Sequence, residues 1–413
     1  MSNEAITEIT TTCCVVGGGP AGMMTGFLLA RAGIDVVVLE KHGDFLRDFR
    51  GDTVHPSTLQ LMHELGFLEE FLQRPHTQEH ALGAQFGDQF VGLADFSYLR
   101  TKCRFIAFMP QWDFLNFLCE KAQRYLSFTL KLNTEVIDLI EENGTIAGVK
   151  AKSKDGELHI RAKLTIGADG RSSIVRERAG FEIEDLGAPM DVLWLRLSRK
   201  ETDPKQVLGR ISAGVILIML NRDQYWQCGF VIPKGNLDQL KAEGLDKFRK
   251  RLTAVAPFVA DRVKEVKSWD DLKLLTVKLD RLKKWHRQGL LCIGDSAHAM
   301  SPIGGVGINL AIQDAVATAN ILFHPLLNGY LIETHLRNVQ ERRMFPTVMT
   351  QRLQALIQRK FVQRTLASNK PIAMPWLAGL FSRFPILRAI PAHVIGIGFR
   401  AEHIHSPDRD ENL

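Results

Sequence analysis

The sequence lacks the features of several large protein classes. Its 413 residues contain only six cysteines, at positions 13, 14, 103, 119, 228 and 292, without CxxC spacing or histidine partners at metal-ligand intervals. These cysteines predict buried free thiols, and no metal site is expected. The formal charge of +6 is not concentrated in any block of five or six basic residues. Nucleic acid is therefore not an expected partner.

Signals for secretion and for a membrane span are also missing. The N-terminal segment MSNEAITEITTT has neither a basic start nor an apolar signal core. No apolar run approaches the roughly 18 residues that a spanning helix needs, so no integral membrane segment is expected. Because free thiols fit a reducing compartment, these features together predict a cytoplasmic protein.

A segment near the C-terminal end, residues 372–399, combines large apolar residues with arginines. This mixture suits an amphipathic segment that faces a membrane. A terminal helix packed over the active lobe is the favoured interpretation, because chain ends need docking to be ordered. The residues concerned are Trp376, Leu377, Phe381, Arg383, Phe384, Ile386, Leu387 and Arg388.

Residues 12–39 contain the strongest local pattern, which predicts a strand, a glycine turn, a helix and a second strand. Gly17 permits the tight turn, Gly19 lets the backbone approach a pyrophosphate, and Gly22 lets the helix pack closely on the strand. The helix N-terminus favours the negative charge of the phosphates. Glu40 follows at the interval of about 20 residues where a carboxylate accepts hydrogen bonds from ribose hydroxyls. Since strand, helix and acid agree, we predict a dinucleotide-binding site rather than a merely structural turn.

Two later segments follow further predicted strands. LTIGADGRSS, at residues 164–173, ends a strand at Asp169, and Ser172 and Ser173 are candidate caps of the next helix. Ligands of open α/β sheets bind at this edge of the strands. In the segment 290–322, a predicted strand at 290–293 leads to Asp295, an extended loop and a glycine-rich turn that opens a long helix.

The chemistry of the segment 290–322 suits a flavin. Asp295 can accept a hydrogen bond from a ribityl hydroxyl group. The glycines of the turn bring backbone N–H groups and the helix N-terminus toward a ligand. Such a helix end stabilises the negative charge that the N1–C2=O edge of a flavin gains on reduction.

Three ordered motifs resemble those of the group A flavoprotein monooxygenases, the family that includes p-hydroxybenzoate hydroxylase. They are GGGPAG at 17–22, GADGRSS at 167–173 and GDSAHAMSPIGGVGINLAIQDA at 294–315. The resemblance implies FAD as cofactor and NADH or NADPH as a co-substrate that binds transiently. It also implies that Asp169 serves both FAD and the pyridine nucleotide. The motifs and the resemblance together predict these cofactor-binding residues: Gly17, Gly19, Pro20, Ala21, Gly22, Glu40, Lys41, Arg50, Gln111, Val136, Asp169, Asp295, Pro302, Gly304, Gly305, Val306, Gly307, Ile308 and Asn309.

The resemblance also implies the reaction. NAD(P)H reduces the flavin, O₂ adds as a C4a-hydroperoxide, and an aromatic or similarly electron-rich small molecule is hydroxylated. No general base is predicted, because His55 and His298 in tight turns are better interpreted as structural hydrogen-bonding residues. The alternatives are an FAD-dependent reductase or desaturase of the same fold and a non-catalytic flavin-binding protein. A flavin halogenase is disfavoured because the Trp-x-Trp-x-Ile-Pro motif is missing from the sequence.

The expected fold class is α/β: a Rossmann-like FAD-binding domain with an inserted, mainly antiparallel β-sheet substrate domain and C-terminal helices. The predicted FAD-binding domain comprises residues 1–80, 105–185 and 280–330. The substrate domain comprises 81–104 and 186–279, and the C-terminal helical region 331–413. Within the substrate domain we predict a helix at 237–255 and a strand-like stretch at 266–279. Candidate pocket residues on its strands are Trp194, Arg196, Trp226, Cys228 and Phe230. The protein is expected to be a monomer or a homodimer.

Overall fold

The computed structural model describes residues 6–46, 53–87, 89–204, 208–368, 370 and 376–409. The strands are β1 (Thr7–Val16), β2 (Val36–Leu39), β3 (Thr53–Val54), β4 (Thr77–Glu79), β5 (Ala81–Phe86), β6 (Gln89–Asp95), β7 (Ile106–Phe108), β8 (Phe128–Lys131), β9 (Glu135–Glu142), β10 (Thr145–Ser153), β11 (Gly156–Gly167), β12 (Ile183–Asp185), β13 (Met190–Ser198), β14 (Leu208–Ser212), β15 (Val215–Asn221), β16 (Tyr225–Pro233), β17 (Lys273–Leu275), β18 (Asp280–Leu282), β19 (His286–Arg287), β20 (Leu290–Cys292) and β21 (His298–Ala299). The α-helices are α1 (Pro20–Arg31), α2 (Pro56–Glu64), α3 (Leu68–Phe71), α4 (Gln111–Ala122), α5 (Ile174–Arg178), α6 (Leu237–Glu243), α7 (Leu245–Val255), α8 (Gly307–Leu327), α9 (Glu333–Ile357), α10 (Gln363–Leu366), α11 (Trp376–Arg383) and α12 (Ala389–Gly396).

An eight-stranded sheet forms the larger lobe, with the strand order β19-β20-β11-β1-β2-β8 and with β10 and β9 attached to β11. The strands β20, β11, β1, β2 and β8 run parallel to one another. The residues of β2 are all buried, as expected for a parallel strand that is covered on both faces. This confirms the βαβ unit and the α/β fold class predicted from the sequence.

A seven-stranded sheet forms the second lobe, in the order β17-β13-β16-β15-β14-β5-β6. It joins strands from residues 81–95 with strands from residues 190–275, the two stretches that the sequence assigned to the substrate domain. One face of this sheet packs against α6 and α7 through Leu240, Phe248 and Leu252. The other face is turned toward the larger lobe, where it meets Ile303 and Phe361.

Three element boundaries differ from the sequence predictions. The helix predicted at 237–255 is two helices, because Gly244 adopts a left-handed backbone conformation with φ +89° between α6 and α7. The stretch 266–279 contains only the short strand β17, preceded by a 3-10 turn at Trp269–Asp271. The strand predicted at 290–293 ends at Cys292.

The helix α8 lies at the centre of the larger lobe, between α1 and α9. Together with the preceding 3-10 turn it spans Ile303–Leu327, which is long and apolar enough to cross a membrane. The sequence expectation that no stretch has this length was therefore wrong. However, 67% of its most apolar window is buried inside the protein, which is the pattern of a core helix.

The last described part of the chain, residues 397–409, runs across the helices of the larger lobe, and we call it the C-terminal strap. Its backbone accepts hydrogen bonds from Gln313 of α8 and Arg343 of α9. Its Asp408 pairs with Arg31 at the end of α1 at 3.0 Å and accepts from the Tyr125 hydroxyl group. The preceding helix α12 packs through Ala392 on the cluster around Phe96 and Phe108, whereas Ile386 and Ile390 are exposed. Residues 371–375 lie outside the described residues, so the docking of the whole segment 372–399 stays a prediction.

Candidate functional site

Three loops meet at one edge of the eight-stranded sheet. The strands β1, β11 and β20 are parallel neighbours, and their last residues are in register: Val16 lies beside Gly167, and Gly167 beside Cys292. Each strand is followed by one of the motifs found in the sequence. Because the carboxyl ends of parallel strands form the ligand-binding edge of such sheets, the fold brings the three motifs together at a single site.

The glycine turn after β1 has two positions that packing restricts to glycine and one that faces open space. A Cβ atom on Gly17 would lie 2.4 Å from the Ala168 carbonyl oxygen, and one on Gly22 would lie 1.9 Å from the Gly17 carbonyl oxygen. Gly19 has no atom within 4 Å of its Cβ position. Gly19 also precedes Pro20 and α1, a helix whose N-terminus has no side-chain cap. The turn therefore combines close packing with an open face at a helix N-terminus, which suits a phosphate group.

Glu40 lies at the end of β2 beside this turn and is buried. Its Oε2 accepts a hydrogen bond from the Gly18 backbone N–H at 2.9 Å, and its Oε1 accepts from the His42 backbone N–H at 3.0 Å. The Thr134 backbone N–H donates to the Glu40 carbonyl oxygen, so the start of β9, with Val136, lies close by. Lys41 is exposed next to Glu40. These residues form the end of the site where the sequence placed the adenosine.

Asp169 follows β11 and binds the first turn of α5. Its Oδ1 accepts from the Ser173 hydroxyl group at 2.5 Å, and its Oδ2 accepts from the Val175 backbone N–H at 3.2 Å. Burial raises the pKa of the Asp169 carboxyl group, although these hydrogen bonds oppose the rise. Ser173 itself caps α5 by accepting from the Arg176 backbone N–H, which confirms one of the two predicted caps. In this structure Asp169 thus orders the turn at the sheet edge.

The turn after β20, Gly294 to Ser296, carries Asp295. Asp295 forms an ion pair with Arg171 of the second motif, with 2.8 Å between Nε and Oδ2, and both side chains are about 30% exposed. A Cβ atom on Gly294 would lie 3.1 Å from the Ala21 side chain. The turn therefore packs directly on α1, and the Asp295–Arg171 pair links the second and third motifs at the partly open side of the site.

The glycine-rich turn before α8 is accessible along most of its length. Residues 302–308 are partly exposed, whereas Asn309 is buried. The Asn309 Oδ1 accepts from the His55 backbone N–H at 3.0 Å and from the Thr58 hydroxyl group at 2.7 Å. The Thr53 hydroxyl group donates to the Gly305 carbonyl oxygen at 3.1 Å. The turn that contains Pro302, Gly304, Gly305, Val306, Gly307 and Ile308 is thus held against β3 and α2.

His55 is fully buried behind this turn. Its Nδ1 lies 2.7 Å from the Ile395 carbonyl oxygen, and since a carbonyl group only accepts, Nδ1 carries the proton. Burial lowers the pKa of His55 to about 4, against the opposing effect of this hydrogen bond. His55 is therefore a neutral residue that connects the start of α2 to α12, in agreement with a structural role.

The remaining predicted cofactor residues lie at the margins of the site or outside the described residues. Gln111 is the first residue of α4, as predicted, and is partly exposed on a helix that packs against α1. Arg50 lies outside the described residues. Sequence reasoning missed Arg171, although it stands inside a motif. It also missed Thr53, for which the sequence offers no signal.

The five candidate pocket residues do not share a face of the seven-stranded sheet. Trp194 lies on the face turned toward the larger lobe, in a cluster with Ile218 and Ile303. Arg196 shares that strand face but lies at its exposed end, 3.8 Å above the Tyr225 ring. The other three, Trp226, Cys228 and Phe230, pair with Leu197, Leu195 and Leu193 and face α6 and α7. Their prediction as pocket residues was therefore wrong, because strand side chains alternate and these three point into the helix-covered core.

The site fits FAD in its shape and its donor groups. A glycine turn with an open face at a helix N-terminus suits a pyrophosphate, and a buried carboxylate 22 residues beyond Gly18 stands at the interval typical of a ribose-binding acid. The partly exposed Asp295 and the accessible turn at 302–308 continue the site toward α8. Among the described residues, no group of three or more His, Cys, Asp or Glu residues could hold a metal ion.

Comparisons with known proteins agree with this geometry. The family model described as FAD binding domain matches residues 10–352. The chain is 33% identical over 384 residues to the 6-methylpretetramide 4-monooxygenase of Streptomyces rimosus, covering 92% of this chain and 91% of that relative. It is 28% identical over 317 residues to the rifampicin monooxygenase of Streptomyces venezuelae, covering 73% of this chain and 61% of that relative. It spans about three fifths of the length of the latter.

A solved structure supports the fold. The probable FAD-dependent monooxygenase pqsL from Pseudomonas aeruginosa aligns with a TM-score of 0.73 and 21% sequence identity, covering 87% of this chain and 98% of that chain. The family model covers most of the chain, and the named relatives are monooxygenases. This chain therefore belongs to the FAD-binding family of group A flavoprotein monooxygenases and is an FAD-dependent oxidoreductase.

Proposed function

We propose that this chain hydroxylates an aromatic small molecule of the class of 6-methylpretetramide, using O₂ and NADH or NADPH. The substrate class comes from the relative that shares 33% of its residues over nearly the whole chain. The observation that carries the proposal is a shared apolar cluster: Trp194 and Ile218 of the seven-stranded sheet and Ile303 of the glycine-rich turn all pack against it. An aromatic compound bound against this sheet face lies next to the turn that borders the flavin site.

Each part of the site has a task in this proposal. The glycine turn at Gly17–Gly22 and the N-terminus of α1 bind the pyrophosphate, and Glu40 binds the adenosine ribose. Asp295 accepts a hydrogen bond from a ribityl hydroxyl group. Bound FAD, reduced by NAD(P)H, supplies the oxygen-activating chemistry. The N-terminus of α8 stabilises negative charge at the flavin ring with its backbone N–H groups.

The apolar side chains around the sheet face have a second task. Trp194, Ile218 and Ile303 are partly buried and belong to one cluster with Phe361. Apolar walls on the substrate orient a planar ring and keep water away from the reacting atoms. We also propose that Asp169 and Arg171 border the path of the transient pyridine nucleotide. In this proposal the enzyme acts in the cytoplasm as a monomer or a homodimer. Its FAD-binding domain comprises residues 1–80, 105–185 and 280–330, its substrate domain 81–104 and 186–279, and its C-terminal helical region 331–413.

The purified protein tests this proposal. We expect a yellow protein whose absorbance spectrum is that of bound FAD, and NADH or NADPH oxidation that rises when an aromatic substrate from a panel of phenols, quinolones and polyketide aromatics is added. One oxygen atom from ¹⁸O₂ is expected in the product. A colourless protein that FAD does not reconstitute would contradict flavin binding. NAD(P)H oxidation without ¹⁸O in any product would favour a reductase.

A further inference from the structure

The turn that carries Asp295 is fixed at both ends by a single oxygen atom of a buried aspartate. The Gly294 backbone N–H donates to the Asp314 Oδ2 at 3.1 Å. The His298 Nε2 lies 2.5 Å from the same Oδ2 and must carry a proton there, since a carboxylate only accepts. Gly294 begins the turn and His298 follows its end, so Asp314 of α8 sets the distance between the two ends.

The other oxygen of Asp314 belongs to a buried charge network. Asp314 Oδ1 accepts from the Arg343 Nε at 2.8 Å, and both side chains are completely buried. Arg343 Nη1 donates to the Glu402 Oε1 at 2.9 Å. Glu402 belongs to the C-terminal strap and also pairs with Arg342. Burial works to raise the pKa of Asp314, but His298 and Arg343 outweigh it and hold this pKa below its ordinary value.

Stability alone does not account for this network. Replacing a buried ion pair by apolar residues of similar volume often leaves stability unchanged or increases it. The buried charges therefore add little to the stability of the fold. What the network provides is a fixed geometry at the turn. The Ser296 hydroxyl group adds a further anchor, lying 2.6 Å from the Gly167 carbonyl oxygen at the end of β11. Of the residues 294–298, Asp295 alone presents a charged side chain to the partly open site.

We propose that Asp314 and His298 are positioning residues that hold Asp295 in place for the ribityl chain of FAD, with Arg343 and Glu402 fixing Asp314 from the C-terminal strap. This inference rests on FAD binding at the proposed site. It makes the binding of FAD depend on side chains that do not touch it. The dependence acts through Asp295 and vanishes when Asp295 can no longer serve as the acceptor.

A double-mutant cycle tests the proposal. The dissociation constant of FAD is measured by flavin fluorescence titration of the apoprotein for the natural sequence, Asp314→Asn, Asp295→Ala and the double variant. We expect each single substitution to weaken FAD binding at least about tenfold, equivalent to about 1.4 kcal/mol. The double variant is expected to bind FAD nearly as well as Asp295→Ala alone, because coupled residues are not additive.

A second variant and a control keep the result interpretable if Asp314→Asn does not fold. His298→Leu removes one of the two donors to the Asp314 Oδ2 without leaving a buried charge unpaired, and we expect the same non-additivity with Asp295→Ala. Glu341→Gln, in the exposed pair with Arg337 on α9, is the matched control and should bind FAD like the natural sequence. The thermal unfolding midpoint of each apoprotein is measured in parallel.

The outcomes separate this inference from the proposed function. Additive losses, or a lower unfolding midpoint with an unchanged dissociation constant, would show that Asp314 and His298 serve only the fold and would overturn the inference. If Asp295→Ala alone leaves FAD binding unchanged, the role proposed for Asp295 is wrong, and with it the positioning role. If the natural sequence does not bind FAD, the proposed function itself is wrong, and the positioning role falls with it.

Discussion

His55 is a single residue whose charge state is tied to folding. Its pKa is lowered from 6.5 to about 4 by burial, so the folded protein resists its protonation while the unfolded chain accepts a proton near pH 6.5. The contribution of His55 to stability is complete above pH 6.5 and is lost as the pH falls toward 4. At about 1.4 kcal/mol per pH unit, the loss amounts to roughly 3 kcal/mol.

We therefore expect His55→Asn to flatten the pH dependence of the free energy of unfolding between pH 6.5 and 4, even though it lowers stability at neutral pH. Urea denaturation at half-unit pH steps measures this. His63→Asn on the exposed side of the same helix is the control and should leave the slope as in the natural sequence. An unchanged slope in His55→Asn would assign the pH dependence to other groups.

Single residues also mark the limit of what the sequence predicts at the site. Asp295 and the glycines stand in motifs that follow strands, so their placement at the sheet edge follows from topology. Arg343 stands next to Arg342 in an unremarkable stretch of α9, yet it is fully buried while the Arg342 side chain is 45% exposed. A step of one residue turns the side chain by about 100° around a helix, and only the tertiary packing decides which of the two faces inward.

At the scale of an element, the glycine turn before α1 separates a packing role from a binding role. Gly22→Ala forces a methyl group to within 1.9 Å of the Gly17 carbonyl oxygen. We expect it to destabilise the apoprotein by about 3 kcal/mol, the upper range for overpacking. Gly19 has φ −75°, which alanine adopts freely, and its Cβ would point into open space.

Gly19→Ala is thus the matched partner of Gly22→Ala. We expect the apoprotein of Gly19→Ala to unfold like the natural sequence but to bind FAD about tenfold more weakly, because the methyl group lies where the pyrophosphate approaches the backbone. Thermal unfolding of the apoprotein and FAD titration measure the two effects. Unchanged FAD affinity in Gly19→Ala would mean that the cofactor does not lie on this turn.

The strands of the second lobe show why elements are easier to predict than their orientation. The alternating pattern identifies β13 and β16 as strands, and the structure contains both. It does not say which of the two alternating sets faces the larger lobe, because both sets are apolar: one carries Leu193 and Leu195, the other Val192 and Trp194. The assignment of Trp226, Cys228 and Phe230 to a pocket was wrong for this reason. The side chains on the face that α6 and α7 cover become part of a core and do not line a pocket.

At the scale of the whole molecule, the C-terminal strap connects helices that are far apart in the sequence. Deleting residues 400–413 removes Glu402 from Arg343 and Asp408 from Arg31. Since a buried hydrogen bond to a charged group contributes about 1.5–3 kcal/mol, we expect the free energy of unfolding to fall by about 3 kcal/mol or more. We also expect the truncated protein to lose FAD during gel filtration. Arg31→Ala removes only the contacts between the strap and α1, so its free energy of unfolding should lie between those of the natural sequence and the truncated protein. Equal free energies of unfolding for these three proteins would contradict the role of the strap.

The strap also has a consequence for the order of events during synthesis. The ribosome makes the helix α1 early and the strap residues that bind it some 375 residues later, as in the contact between Arg31 and Ser406. A growing chain can form the βαβ unit but not the contacts that close around it, because Asp408 and Glu402 are still in the ribosome. The contacts that close around the βαβ unit therefore form only after the strap residues have left the ribosome, so this part of the fold is completed long after α1 has been made.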